Sequence, residues 1–376
     1  MSFRIIIISF FIILGCSSLI YSQHDSDTTG TKEFKAHFFG YADVFYCQDL
    51  NNPFNKEQLF SSNPYRVNQF GLDYSFFQAN FKQGKLEANF ALNFGSIVDV
   101  MYINEPLQYK FIREASFKYH ISKKWSVEAG IMPALFGFET FINANNMHAT
   151  RAVMCDFAPD FAAGITVAYK INEHWTNKFQ INNGWQVLQE TNKSKAFANV
   201  LIYENEKNKN LLNLGVIVTD ESADTSKAQP RIYSNNFAKL HFGKWTVAPM
   251  FDVGFQKAGD LTDNHDDNAV LGWYSTALSV RYAVASKFGV AARYERMIDP
   301  HGIVPEVRTR TANGFQMDGA TLTFEFLPTS SSVFRIEGRY KNSKDAIFSS
   351  EKQGVFKNDD LTFFVSFATF FNKSRN

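Results

Sequence analysis

The sequence is short of most features that would point to an enzyme, a disulfide-stapled domain or a polyanion binder. Only three of its 376 residues are cysteine, Cys16, Cys47 and Cys155, too few for a disulfide framework. No CxxC pair occurs and the eight histidines are dispersed, so a zinc site has no ligand spacing to rest on. Charge of one sign is missing as well. Lys+Arg total 38 against 37 Asp+Glu, a net charge of +1, without the basic excess that binding a phosphate backbone requires. Beyond the first residues no stretch approaches 18 consecutive apolar positions, which excludes a spanning helix. A mean hydropathy of -0.23 is also too low for a helical membrane protein. The GxSxG elbow, HExxH and the P-loop are all absent, and Ser and His fall into no recurrent pairing that would build a dyad. No catalytic residue, cofactor or metal is expected from the sequence.

What the chain holds in excess is phenylalanine. There are 40 Phe, 15 Tyr and 5 Trp, and aromatics make up 16% of the residues. That richness excludes disorder and favours strands, where flat rings pack well on a pleated surface.

Residues 1–22 have the form of a secretory signal: Arg4 as the basic start, Ile5 to Leu14 as the apolar run, Gly15 to Ser22 as the small and polar end. The apolar run is too short to span. Cleavage is expected between Ser22 and Gln23, followed by a short periplasmic segment at 23–33. A rival site, Ile13-Leu14-Gly15-Cys16, resembles a lipoprotein box that Leu14 fits poorly. If Cys16 leaves with the signal, Cys47 and Cys155 remain near loops, as free thiols or as a disulfide.

From residue 34 onward a period of two dominates. Leu86, Ala88, Phe90, Leu92 and Phe94 alternate with Glu87, Asn89, Ala91, Asn93 and Gly95. The same pattern recurs at Glu114–Ile121, at Phe334–Lys341 and at Leu361–Phe367, each giving one greasy and one wet face. Reading every such run predicts about sixteen strands, near 34–46, 67–82, 85–99, 109–121, 124–136, 161–171, 174–186, 196–204, 210–219, 231–242, 244–257, 270–284, 287–298, 315–327, 332–341 and 361–371. Tight turns at Gln83-Gly84, Ser122-Lys123, Asn172-Glu173, Gly243-Lys244, Ala285-Ser286 and Pro328–Ser331 alternate with long polar loops near 47–66, 137–160, 219–230, 257–269, 298–314 and 342–360. Alternating loop lengths mark an up-and-down transmembrane antiparallel β-barrel with short periplasmic turns and long external loops. A sheet in lipid must also close, because an open edge leaves backbone groups unsatisfied in hydrocarbon. Residues 34–376 therefore read as one all-β barrel domain in a bacterial outer membrane.

Several segments carry a family likeness. Glu114-Ala115, Lys123-Lys124-Trp125, Gly130-Ile131-Met132-Pro133 and Gly137-Phe138-Glu139 form the strongest piece. Others are Gly40-Tyr41-Ala42-Asp43, Asn183-Gly184-Trp185-Gln186, Asn313-Gly314-Phe315-Gln316 and Arg335-Ile336-Glu337-Gly338-Arg339, extended by Asn342–Asp345. With them the chain resembles the OmpL-like outer-membrane β-barrel porins of Bacteroidetes, from about Phe38 to Phe348. The resemblance implies a porin-type barrel and names no solute.

Candidate functional residues follow from strand parity. Charges should face the lumen, since Arg or Lys at mid-bilayer on the lipid face costs about 2–4 kcal/mol. Lys118, Arg281, Arg293, Glu295, Arg335, Glu337, Arg339 and Lys341 are the pore-lining candidates. Basic residues outnumber acidic ones among them, which suggests a mild anion preference, although the same charges could simply pair and hydrate the lumen. The third long loop, 137–160, is a candidate constriction loop through Glu139, Asn143, His148, Arg151 and Asp156; the alternative is an external loop without a gating role. The acidic stretch Asp260–Asp267 lacks calcium-loop spacing and reads as a solvated loop. The expected function is passive diffusion of small hydrophilic solutes by a monomer or homotrimer in outer-membrane lipid, inserted by the barrel-assembly machinery. A barrel acting as an enzyme or adhesion scaffold, or a secreted soluble β-protein, are the alternatives.

Overall fold

The computed structural model describes residues 33–259, 268–305, 311 and 313–373. The expected signal peptide with Cys16, and the acidic stretch 260–267, lie outside the described residues.

From Phe34 onward the strands run β1 (Phe34–Asp49), β2 (Gln69–Gln83), β3 (Leu86–Phe94), β4 (Ile112–His120), β5 (Trp125–Pro133), β6 (Phe161–Lys170), β7 (Trp175–Asn182) and β8 (Ala196–Asn205). They continue with β9 (Asn210–Thr219), β10 (Arg231–Phe242), β11 (Trp245–Lys257), β12 (Val270–Ala285), β13 (Phe288–Asp299), β14 (Phe315–Phe326) and β15 (Ser332–Ser343). A two-residue hairpin, β16 (Phe348–Ser349) with β17 (Phe356–Lys357), precedes the last strand, β18 (Asp359–Phe371). Apart from that hairpin, every strand pairs antiparallel with its chain neighbours, and β1 pairs with β18 to close the ring. Closure removes the edges that lipid would not tolerate. All sixteen expected segments are barrel strands.

Short connections at 84–85, 121–124, 171–174, 206–209, 243–244, 286–287 and 327–331 alternate without exception with long ones. Two long connections were folded into strands by the sequence pattern and need correction. The expected strand 85–99 stops at Phe94, and the expected strand 174–186 stops at Asn182. Gly95 explains the first: its φ is +122°, and a Cβ there would collide with the Asp73 carbonyl, so the chain leaves the sheet where only glycine fits. It then forms α1 (Ser96–Met101) and α2 (Leu107–Lys110).

Strand faces alternate as the period of two requires. On β13, Tyr294 is 53% exposed while its neighbours Arg293 and Glu295 are buried. Outward Phe residues such as Phe90, Phe117, Phe288, Phe324, Phe363 and Phe367 are exposed, and exposed Phe outnumber buried ones. Beside the short turns, cross-strand pairs Trp125–Tyr169, Trp175–Tyr203, Trp245–Tyr282 and Phe288–Phe326 have ring centroids 4.4–5.1 Å apart. That row is an aromatic girdle, which places one membrane interface at the short-turn end.

The interior is not wholly polar. Phe39, Tyr41, Tyr74, Phe76, Phe141 and Phe370 form one buried cluster with Ile97 and Val98 of α1. Phe136, Val153, Tyr233, Trp273, Phe315 and Phe348 form another. Both mix wall residues with loop residues, because the long loops fold inward and need apolar surface to pack on. Cys47 lies within β1 rather than in a loop, Cys155 lies in α3 (Val153–Asp156), and both are buried free thiols.

Candidate functional site

The connection 134–160, here the inner loop, lies inside the barrel against β13, β14, β15 and β18. A buried irregular segment must find partners for its backbone N–H and C=O groups. The wall supplies them from residues two apart, which point the same way along a strand. Glu337 on β15 accepts the N–H groups of Ala149 (2.6 Å) and Thr150 (3.0 Å). Glu295 on β13 accepts the N–H of Val153 at 2.6 Å. The guanidinium groups take the carbonyls: Arg335 donates to Asn143 (2.8 Å) and Asn146 (2.6 Å), and Arg293 donates to Thr150 (2.9 Å) and Arg151 (3.3 Å). Anions hold amides and cations hold carbonyls.

Ion pairs complete the latch. Arg293 meets Glu139 of the loop at 3.1 Å, and Arg339 meets Glu295 at 2.7 Å. Gly319 makes the second pair possible, since a Cβ at that position would come within 2.7 Å of the Glu295 side chain. Lys341 pairs with Asp360 on β18 at 2.9 Å. Buried pairs of this kind repay their desolvation only with further hydrogen bonds, and the loop backbone provides them.

Each constriction-loop candidate has a definite place. Glu139 binds Arg293, and Asn143 donates to Ser366 while receiving Arg335. The Nδ1 of His148 lies 2.7 Å from Thr323 Oγ1, whose hydroxyl donates to Glu337. Burial, then the positive charges of Arg293, Arg335 and Arg339, hold its imidazole well below the ordinary histidine value, so it is neutral. Arg151 staples the loop to itself through Asp160 (2.9 and 3.1 Å) and lies 4.8 Å over the Phe141 ring. Burial pushes the Asp160 carboxyl up to about 7 against the pull of Arg151. Asp156 accepts from Ser62, which ties the first long loop to the inner one.

The eight wall candidates divide. Arg293, Glu295, Arg335, Glu337, Arg339 and Lys341 point inward, yet each is at most 3% exposed. Their charges face the inner loop, one another and, for Lys341, Asp360 on β18. Lys118 and Arg281 face open space. Lys118 pairs with Glu128 at 2.8 Å in a vestibule of about 430 Å³ that also holds Glu87, Glu114 and Lys178. Arg281 pairs with Glu325 in a second vestibule of about 870 Å³, with Glu204, Glu206, Lys209 and Lys239. Both vestibules lie toward the short-turn end, and Ala134–Leu135 or Asn145–Met147 of the inner loop form part of their walls.

Arg113 escaped the sequence reading. Parity beside Glu114 would aim it at lipid, but a bulge lies there: Ala91 pairs with Glu114 and Leu92 with Ile112, leaving Arg113 over. A bulge re-aims a side chain. Arg113 turns inward, 4.5 Å over the Phe76 ring, and donates to Gln78 at 2.8 Å. Among the described residues no cluster of His, Cys, Asp and Glu is arranged to hold a metal ion.

The chain matches a family model described as "Putative beta-barrel porin-2, OmpL-like" over residues 35–371. No curated protein matches it. Among solved structures it resembles the anion-selective porin from Comamonas acidovorans, with a TM-score of 0.63 at 13% identity, covering 90% of this chain and 100% of that one. The trimer form of OmpT from Vibrio cholerae gives 0.57 at 10%, covering 90% and 99%. OprB of Pseudomonas putida gives 0.56 at 9%, covering 90% and 94%. At such identities the likeness is one of fold.

Proposed function

This chain belongs to the OmpL-like β-barrel porins of the outer membrane, and from that premise we propose that it passes small hydrophilic solutes by passive diffusion along the water-facing side of its inner loop. The observation that carries this reading is the pair of vestibules whose walls include the inner loop and carry charged side chains of both signs. Filtering then depends on pore width and on the charges that water reaches. Those charges carry both signs: Glu87, Glu114 and Glu128 against Lys118 and Lys178 in one vestibule, Glu204, Glu206 and Glu325 against Lys209, Lys239 and Arg281 in the other. The mild anion preference expected from the wall charges loses most of its carriers to the latch, and the proposed pore is weakly selective. Export by cleavage after Ser22 and assembly as a monomer or homotrimer complete the proposal; N-terminal sequencing and cross-linking test them.

The decisive experiment is single-channel recording in planar bilayers. Stepwise, near-ohmic conductance with a small reversal potential in a salt gradient is expected. A purified barrel that shifts on heating in a detergent gel yet never conducts would overturn the diffusion mechanism and leave the fold intact.

A further inference from the structure

A cavity of about 160 Å³ lies where the inner loop passes β2, β4 and β6. It shares Pro133 and Ala134 with the first vestibule and Asn145 with the second. The cavity therefore adjoins both vestibules along the inner loop. At about 30 Å³ of liquid volume per water, it has room for roughly five waters, or one small organic solute.

Its chemistry is mixed. Tyr102 of the second long loop stacks on Phe161 with centroids 4.2 Å apart, and Tyr74 lies beside them. Arg113, Thr140 and Asp160 supply the polar groups. Both charges are already compensated by the protein, Arg113 by Glu114 at 3.4 Å and Asp160 by Arg151 at 2.9 Å. A solute with net charge would surrender hydration there without finding an unpaired opposite charge. A neutral, hydroxyl-rich solute finds donors and acceptors on one side and ring carbons on the other, the usual composition of a small-molecule site.

We propose that this cavity, beside the inner loop and next to both vestibules, is a binding site for small neutral polyols of about pentose size. The assignment rests on the porin reading. Arg113 gives the site its orientation: the bulge between β3 and β4 turns it from the lipid face to the cavity, and its planar fork can hold vicinal hydroxyls while Asp160 accepts from them.

The test is ionic current through the full-length mature barrel, with xylose, glutamate or inorganic phosphate added to one side. Xylose should interrupt the current at concentrations where glutamate and phosphate do not. Arg113→Gln, or Thr140→Val should the first variant fold poorly, should raise the half-blocking xylose concentration about tenfold. Equal block by phosphate or glutamate overturns the solute class, and unchanged block in a folded variant overturns the placement. Equilibrium dialysis of xylose against the detergent-solubilised barrel separates this site from the porin reading. Xylose retained by a barrel that carries no current would support the site and overturn the pore, whereas neither retention nor block would overturn the site.

Discussion

Arg293 and Glu139, 154 residues apart in the chain, meet inside the barrel with Nη1 of the arginine 3.1 Å from both carboxylate oxygens. Neither side chain is exposed. Removing Glu139 leaves Arg293 buried with only the longer pair to Glu295 at 3.5 Å. Breaking a buried pair costs about 3–5 kcal/mol, while replacing both partners with apolar groups of similar volume is far milder. Glu139→Ala should therefore lower the heating midpoint of the gel-mobility shift more than the double variant Glu139→Leu, Arg293→Met does. Equal effects would show that the pair is not a coupled unit.

Glu337 holds two successive loop amides. In Glu337→Gln one of the two terminal groups becomes a donor facing a donor, so at least one amide loses its partner. A buried unsatisfied group costs about 1–3 kcal/mol. The loop should loosen, and single-channel recordings should show larger and noisier conductance. A step of unchanged size and noise would mean the loop stays in place without this anchor.

His148 predicts acid sensitivity. Its folded-state pKa is depressed by burial and by the three guanidinium groups, with Glu337 at 3.9 Å opposing them. The unfolded chain thus binds this proton more readily, so the contribution is complete above about pH 6.5 and is lost as pH falls below it. Asp160, raised to about 7, acts in the opposite sense: its contribution is present at low pH and is lost as pH rises toward 7. Comparing thermal midpoints of the parent and His148→Asn between pH 7 and 5 isolates the histidine. The parent should lose more stability on acidification, and parallel curves would refute the assignment.

Leu278 lies mid-strand on β12 and is 48% exposed, facing lipid. Leu278→Arg should cost about 2–4 kcal/mol, whereas Trp245→Arg in the girdle should cost only about 0–1 from its charge. Folding into vesicles under urea titration measures both. A similar cost at the two sites would misplace the membrane band.

The strand pattern and the alternation of loop lengths were legible because each is local. A period of two is written in neighbouring residues, and a lipid-facing Phe beside a wet partner needs no distant context. Parity put Arg293, Glu295, Arg335 and Glu337 on one face of their strands, and these four side chains are buried against the inner loop. It failed at Arg113, because one extra residue in β4 reverses the rule and the bulge exists only in the pairing of β3 with β4. It also ran past Phe94 and Asn182, where the residues remain strand-like but the sheet ends.

By itself the sequence determined an exported, closed, antiparallel barrel with a phenylalanine coat, since backbone satisfaction in lipid leaves that pattern no other outcome. Only the tertiary structure decided what the inward charges do. Whether an inward arginine meets water or a carbonyl depends on where a loop 143–192 residues away comes to rest. Here the inner loop takes Arg293, Glu295, Arg335 and Glu337 as partners for its own buried backbone and for Glu139, Arg339 and Lys341 pair with Glu295 and Asp360, and the pore is left to Lys118, Arg281 and residues the pattern had passed over.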